Sequence, residues 1–175
     1  AYFEYAGAAG AYLSWLGYPS CRGRKWGRVE KDKGQYDTIA EVDWTTGACM
    51  CVRTQVYKEL GGLDASFFAH MEEIDLCWRM RNKKWKLACV PQSTVYHLGG
   101  GSLSYDNPRK TYLNFRNNLV MIYKNRRFPW CVLAIRCVLD YVAALHFLLQ
   151  GKKGSAKAVL EARRDYKKMR VKSVK

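Results

Sequence analysis

The chain has 175 residues, 49% apolar and 14% aromatic, which suffices for one domain with a proper core and excludes general disorder. Thirty Lys and Arg stand against fifteen Asp and Glu, a net charge of +15; an anionic partner is therefore expected, whether nucleic acid, anionic lipid or a phosphorylated small molecule. Seven cysteines, an odd number without a Cys-x-x-Cys, point to buried reduced thiols rather than a disulfide framework or a zinc site.

No secretory signal is recognisable, and the opening Ala-Tyr-Phe-Glu-Tyr reads as mid-protein, so a longer parent is expected. Residues 1–40 are rich in Gly and aromatics, with a basic cluster at Arg22, Arg24, Lys25 and Arg28. Tyr12–Leu16 reads as a short helix, and the remainder as an ordered surface loop. Glu41–Val52 reads as loop then strand, with both faces apolar and Cys49 and Cys51 projecting to one side. Thr54–Leu60 is expected as a short helix capped by Thr54 and stopped by Gly61-Gly62.

Phe67–Arg81 concentrates three carboxylates, Glu72, Glu73 and Asp75, directly behind an aromatic pair. Acidic residues suit the positive end of a helix, and Ile74, Cys77 and Trp78 supply a buried stripe at helical spacing. Glu72 and Asp75 share a face, and Arg79 lies four residues past Asp75, in position to pair with it. Glu73 points about 100° away from Glu72 and escapes that pairing. It is the carboxylate left for chemistry, and the helix mouth favours its ionised form. The plainer alternative is ordinary first-turn decoration.

Leu87–Val90 is expected as a strand closed by Pro91, and Thr94–His97 as a second one leading into Gly99-Gly100-Gly101. Short strands alternating with helices indicate an α/β fold. Asn107-Pro108 opens a helix running to about Lys124. Phe128–Leu149 is an apolar run broken by Arg136 and Asp140, which are spaced to pair. From Lys152 onward ten Lys or Arg face Glu161 and Asp165, a local +8.

One ordered series of motifs resembles family 2 glycosyltransferases of the rhamnosyltransferase type. It comprises Val42-Asp43-Trp44-Thr45-Thr46-Gly47-Ala48, Gly61-Gly62-Leu63-Asp64, Phe67-Phe68, Glu72-Glu73-Ile74-Asp75-Leu76, Val90-Pro91 and Val95-Tyr96-His97-Leu98-Gly99-Gly100-Gly101. The resemblance implies a C-terminal half of a GT-A, Rossmann-like catalytic domain over 1–105, then a helical, basic, membrane-associating region over 106–175. It implies inverting transfer from a nucleotide-sugar donor to a glycan or lipid-linked acceptor of the cell envelope. Glu73 takes the position of the family's base, where Asp is commoner, with Glu72 and Asp75 as alternatives. His97 corresponds to a ligand of Mg²⁺ or Mn²⁺, which in relatives is held together with an upstream Asp-x-Asp. Trp44, Asp43, Thr45 and Gly47 fall on the acceptor side, and Arg116, Gly99 and Gly100 are candidates for holding the diphosphate.

The chain contains no Asp-x-Asp and shows no βαβ pattern before residue 42. The nucleotide-binding half is thus expected elsewhere, and the isolated piece is expected to be inactive, with a sheet edge that favours homo-oligomers. Phe128–Leu149 fits an interfacial helix with a Lys/Arg-rich tail at the cytoplasmic face of a membrane, or a buried helix beneath the catalytic domain. The rival from another class is a basic nucleic-acid-binding module, but no helix or sheet reader is recognisable, so nucleic acid is not expected.

Overall fold

The computed structural model describes residues 9–25, 28–95 and 107–172. They belong to two compact units, Ala1–Ala65 with Glu72–Gly99, and Ser66–Met71 with Gly100–Lys175.

The first unit mixes short strands with two helices. β1 (Ala11–Leu13) pairs antiparallel with β2 (Pro19–Cys21), and β3 (Arg24–Lys25) with β4 (Arg28–Val29). β5 (Ala40–Val42) pairs antiparallel with β6 (Leu87–Cys89), setting Val42 opposite Leu87. Ala11 also bridges to Trp44, which ties β1 to the chain leaving β5. Gly10 permits this crossing. Its φ is +83°, and a Cβ there would lie 2.6 Å from Val42 Cγ1, a position that only glycine fills without displacement.

α1 (Thr54–Glu59) and α2 (Glu72–Asn82) complete the unit. α2 buries Ile74, Leu76, Cys77 and Met80, and ends in a Schellman turn. Trp85 N–H donates to Met80 O at 3.1 Å and Lys84 N–H to Arg81 O at 2.9 Å, with Lys84 at φ 68°. The Asp75–Arg79 pair forms as the spacing predicts, at 2.8 Å. Arg79 also donates to Leu60 O at 2.6 Å and Gly62 O at 2.7 Å, fastening the turn that follows α1.

Several local expectations give way here. Tyr12–Leu16 is not helical, because Ala11–Leu13 is taken into the β1–β2 ladder. The strand expected across Ala48–Val52 is replaced by one 3₁₀ turn, Gly47–Cys49, whose Thr46 hydroxyl accepts from Ala48 N–H. Alternating apolar letters there met no partner strand, and Cys49 and Cys51 are exposed, not buried. Cys131 is exposed as well, Cys77 is buried, and none of the seven cysteines forms a disulfide. α1 starts at Thr54, but Arg53 is its N-cap and no side chain caps it. Thr94 and Val95 are irregular and exposed; the rest of that expected strand, with His97, Gly99 and Gly100, lies outside the described residues.

The second unit is helical: α3 (Pro108–Asn125), α4 (Trp130–Leu149) and α5 (Lys153–Lys172). Asn107 caps α3 as expected, its side chain accepting from Arg109 N–H at 2.9 Å, with Pro108 in the first turn. α5 meets its neighbours with small residues, Ala156, Ala158 and Ala162, all buried. Gly154 allows α5 to begin against Pro108, whose Cγ would lie 2.9 Å from a Cβ at that position.

The interior of this unit is polar at its centre. Arg136 and Asp140 of α4 are 1% and 0% exposed. Asp140 accepts from Arg136 at 3.4 Å and from Arg163 of α5 at 2.5 Å, and Arg136 also donates to Asn118 of α3. Burial pushes the Asp140 carboxyl upward, opposed by the two guanidinium charges.

Candidate active site

The mouth of α2 carries Glu72 and Glu73. Glu73 is half-buried, and its Oε2 finds no hydrogen-bond partner among the described residues. Its pKa rises from 4.5 to about 7. Burial is the larger cause and the negative charge of Glu72 the second; hydrogen bonds from the backbone N–H groups of Glu73 and Ile74 oppose them. The expectation that the helix mouth keeps Glu73 ionised is therefore corrected. The favourable end-of-helix field is present, but desolvation and the neighbouring carboxylate outweigh it. A carboxyl balanced near neutrality is a stronger base than an ordinary glutamate, and still deprotonates at working pH.

Residues 43–47 run along α2 in register with it. A Cβ on Gly47 would lie 3.7 Å from Glu73 Cβ. Thr45 is hydrogen-bonded with Cys77 through backbone and side chain. Asp43 Oδ1 pairs with Arg81 at 2.7 Å. Positions 43, 45 and 47 thus face 81, 77 and 73. Two residues of extended chain span about 6.6 Å and four of helix about 6 Å, so alternate positions on one match successive turns of the other. This register unites Asp43, Thr45, Gly47 and Glu73. Cys77, expected only as part of a buried stripe, and Arg81 complete it; neither was foreseen as part of the site, although their spacings of four and eight from Glu73 were there to be read.

The other expected residues fare differently. Trp44 points away from this stripe; it is 3% exposed, and its indole N–H donates to Tyr12 O at 3.3 Å. Its ring is a packing element, not an open platform for a sugar. Asp43 is held by Arg81 and by Leu13 N–H, at 2.7 Å each. Asp75 is fully buried and paired with Arg79, so Glu73 and Glu72 are the acidic residues left at the helix mouth. A hollow of about 200 Å³, lined among others by Thr45, Arg53, Val56, Met80, Trp85 and Lys86, shares Thr45 with the stripe but not Glu73.

In the second unit, Ser66–Met71 is strained and firmly held. Phe68, His70 and Met71 have φ of 65°, 68° and 73°, a left-handed cluster that persists only where the surroundings enforce it. Asn117, fully buried, donates its amide to Phe67 O at 3.0 Å, Ala69 O at 2.8 Å and His70 O at 2.7 Å. Arg116 donates to Phe67 O at 2.9 Å and to Asn117 at 2.9 Å, and its guanidinium lies over Tyr112. Arg116 is thus engaged in fixing this segment, contrary to its expected place on a diphosphate. Asn117, which no sequence pattern marked, is the principal anchor of the residues leading into Glu72.

Among the described residues no three His, Cys, Asp or Glu side chains cluster as metal ligands. The expected ligand His97, and the diphosphate candidates Gly99 and Gly100, lie outside them.

The family described as "Glycosyltransferase like family 2" matches residues 18–124. An N-acetylglucosaminyl-diphospho-decaprenol L-rhamnosyltransferase of Mycobacterium tuberculosis is 36% identical over 104 residues, 59% of this chain and 34% of that protein. Rhamnosyltransferase WbbL of Escherichia coli is 33% identical over 70 residues, 40% of this chain and 26% of WbbL. The low-salt glycan biosynthesis hexosyltransferase Agl10 of Haloferax volcanii is 27% identical over 88 residues, 50% of this chain and 29% of Agl10. The chain therefore spans about a quarter to a third of the length of these relatives. No solved structure matches it significantly.

Proposed function

Because the chain belongs to glycosyltransferase-like family 2, with more than half of its residues in the matching region, we propose that its protein moves a sugar, with inversion, from a nucleotide-sugar donor to a glycan or lipid-linked acceptor in cell-envelope polysaccharide synthesis. Glu73 removes the proton of the acceptor hydroxyl while that oxygen bonds to the anomeric carbon. The bond from the same carbon to the diphosphate oxygen breaks, and its electron pair leaves with the diphosphate. Glu72 keeps Glu73 basic through its charge, and Thr45 and Gly47 border the acceptor side.

A bound Mg²⁺ or Mn²⁺ would neutralise charge on the departing diphosphate. His97 is the residue of this chain that would hold it, and the backbone of Gly99 and Gly100 would approach the phosphates. The nucleotide pocket belongs to the GT-A half that 1–105 does not contain, so this chain supplies the base and the acceptor side. The reaction takes place at the cytoplasmic face of the cell membrane, against which the basic helices lie.

The observation that carries this reading is the half-buried Glu73 carboxyl, with a pKa of about 7 and no hydrogen-bond partner on Oε2 among the described residues. In the full-length enzyme, Glu73→Gln should lower transfer about 10²–10⁴-fold while nucleotide-sugar binding survives. The wild-type kcat/KM should rise with pH through about 7, as the base loses its proton. Near-normal turnover of Glu73→Gln would overturn the assignment.

A further inference from the structure

α4 is built inside out for a helix in water. Its two charged residues, Arg136 and Asp140, point inward and are sealed between α3 and α5 by Asn118 and Arg163. The outward side presents Ile135, Val138, Tyr141, Val142, Leu145 and Leu149, all exposed, with Val138 at 64% and Leu145 at 56%. At 100° per residue these six fall within one sector of the helix, opposite Arg136 and Asp140. Soluble helices show the reverse arrangement, and an exposed apolar strip of this length marks a surface that another phase or molecule covers.

Charge says what covers it. Residues 107–172 hold sixteen Lys and Arg against three acidic residues, a net +13, whereas residues 1–106 hold thirteen against twelve, a net +1. Nearly all the basic excess therefore belongs to the unit that bears the strip. Arg127 lies over the exposed ring of Phe128 at 5.2 Å, and Arg170 over that of Trp130 at 5.4 Å, at the start of α4. Lys152 and Lys153, both exposed, follow its end. An apolar strip with aromatics at one end and cations at both is the pattern of a helix seated among lipid headgroups. A second copy of this unit would bring +13 against +13, and an acidic membrane surface meets the same charge favourably.

α4 is also long and apolar enough to cross a bilayer. Its inner side argues against that, because α5, which packs on it, exposes Lys157, Arg164, Lys167 and Lys168. Crossing would draw those charges into hydrocarbon. We propose that the outward strip of α4 is a docking surface for an anionic lipid bilayer, with the helix lying in the plane of the interface. The inference deepens the membrane placement in the proposed function by assigning it to named side chains.

The test uses the full 175-residue chain and no sugar transfer. It is sedimented with vesicles of phosphatidylcholine alone, and with vesicles of phosphatidylcholine plus phosphatidylglycerol. Capture should favour the anionic vesicles by about tenfold or more, and should weaken but persist as salt rises. Val138→Gln with Leu145→Gln, which leaves charge unchanged, should lower capture at least about tenfold with helicity intact by circular dichroism. Lys152→Gln with Lys153→Gln should lower it about tenfold and remove part of its salt dependence. Equal capture by both vesicle types, or full capture of the Val138/Leu145 variant, would overturn the proposal. So would a dimer in sedimentation velocity that this variant dissolves, since that outcome assigns the strip to a second copy. Failure here leaves the role of Glu73 standing, and an active Glu73→Gln enzyme leaves vesicle capture untouched.

Discussion

Asp140 of the helical unit and Glu73 of the first unit are both carboxyl groups drawn out of water, and the two are treated in opposite ways. Asp140 is enclosed by Arg136 and Arg163, so its charge is answered on two sides. Glu73 is desolvated beside a second carboxylate, and one of its oxygens is answered by nothing among the described residues. Burial raises both pKa values. What separates them is the partner: a neutralised acid is a fastening, and an unneutralised one is a store of basicity. The net charges divide in the same sense, +13 over 107–172 and +1 over 1–106. The unit that holds the Glu73 stripe is close to neutral, and the one built from basic helices is dressed for an anionic surface.

The sharpest way to break this contrast is to remove the partnered acid. Asp140→Ala leaves two buried guanidinium groups facing each other and should cost about 3–5 kcal/mol of stability, read as a loss of urea midpoint in the helical unit. Asn117→Ala removes the donor shared by three carbonyls of a strained segment. It should cost roughly 1–3 kcal/mol and speed amide exchange over residues 66–71 well before α5 is affected.

The smallest effect concerns Glu73, the acid whose neighbour is a second carboxylate. Glu73 binds its proton more tightly folded than unfolded, with a pKa of about 7 against 4.5. The stability tied to that proton is fully present below pH 4.5 and is lost as pH rises through about 7. Glu73→Gln should therefore be more stable than wild type by roughly 1–2 kcal/mol above neutrality, because Glu73 retains some contact with water, and should match it in acid. Urea titrations at about pH 5 and about pH 9 measure this. A variant that gains stability while losing turnover would mark Glu73 as a functional residue held at a structural cost.

Helices with local start signals were legible in the sequence. The acidic first turn of α2, the Asn107-Pro108 entry to α3, and the Asp75–Arg79 and Arg136–Asp140 spacings all depend on neighbours within a few positions. Features set by distant partners were not. Ala48–Val52 had the letters of a strand but no strand to pair with, while Tyr12, read as helical, had β2 waiting for it. The raised pKa of Glu73 escaped notice because sequence displays the end of a helix but not the burial that overrides it. Asn117 looked like any polar residue in a helix, since nothing in its own stretch announces three carbonyls arriving from residues 67–70.

The pairing of 43, 45 and 47 with 81, 77 and 73 makes the length of this stretch as important as its composition. Losing or gaining one residue between Asp43 and Gly47 would reverse the alternation, turning the Trp44 indole toward α2 and swinging Asp43 out of reach of Arg81.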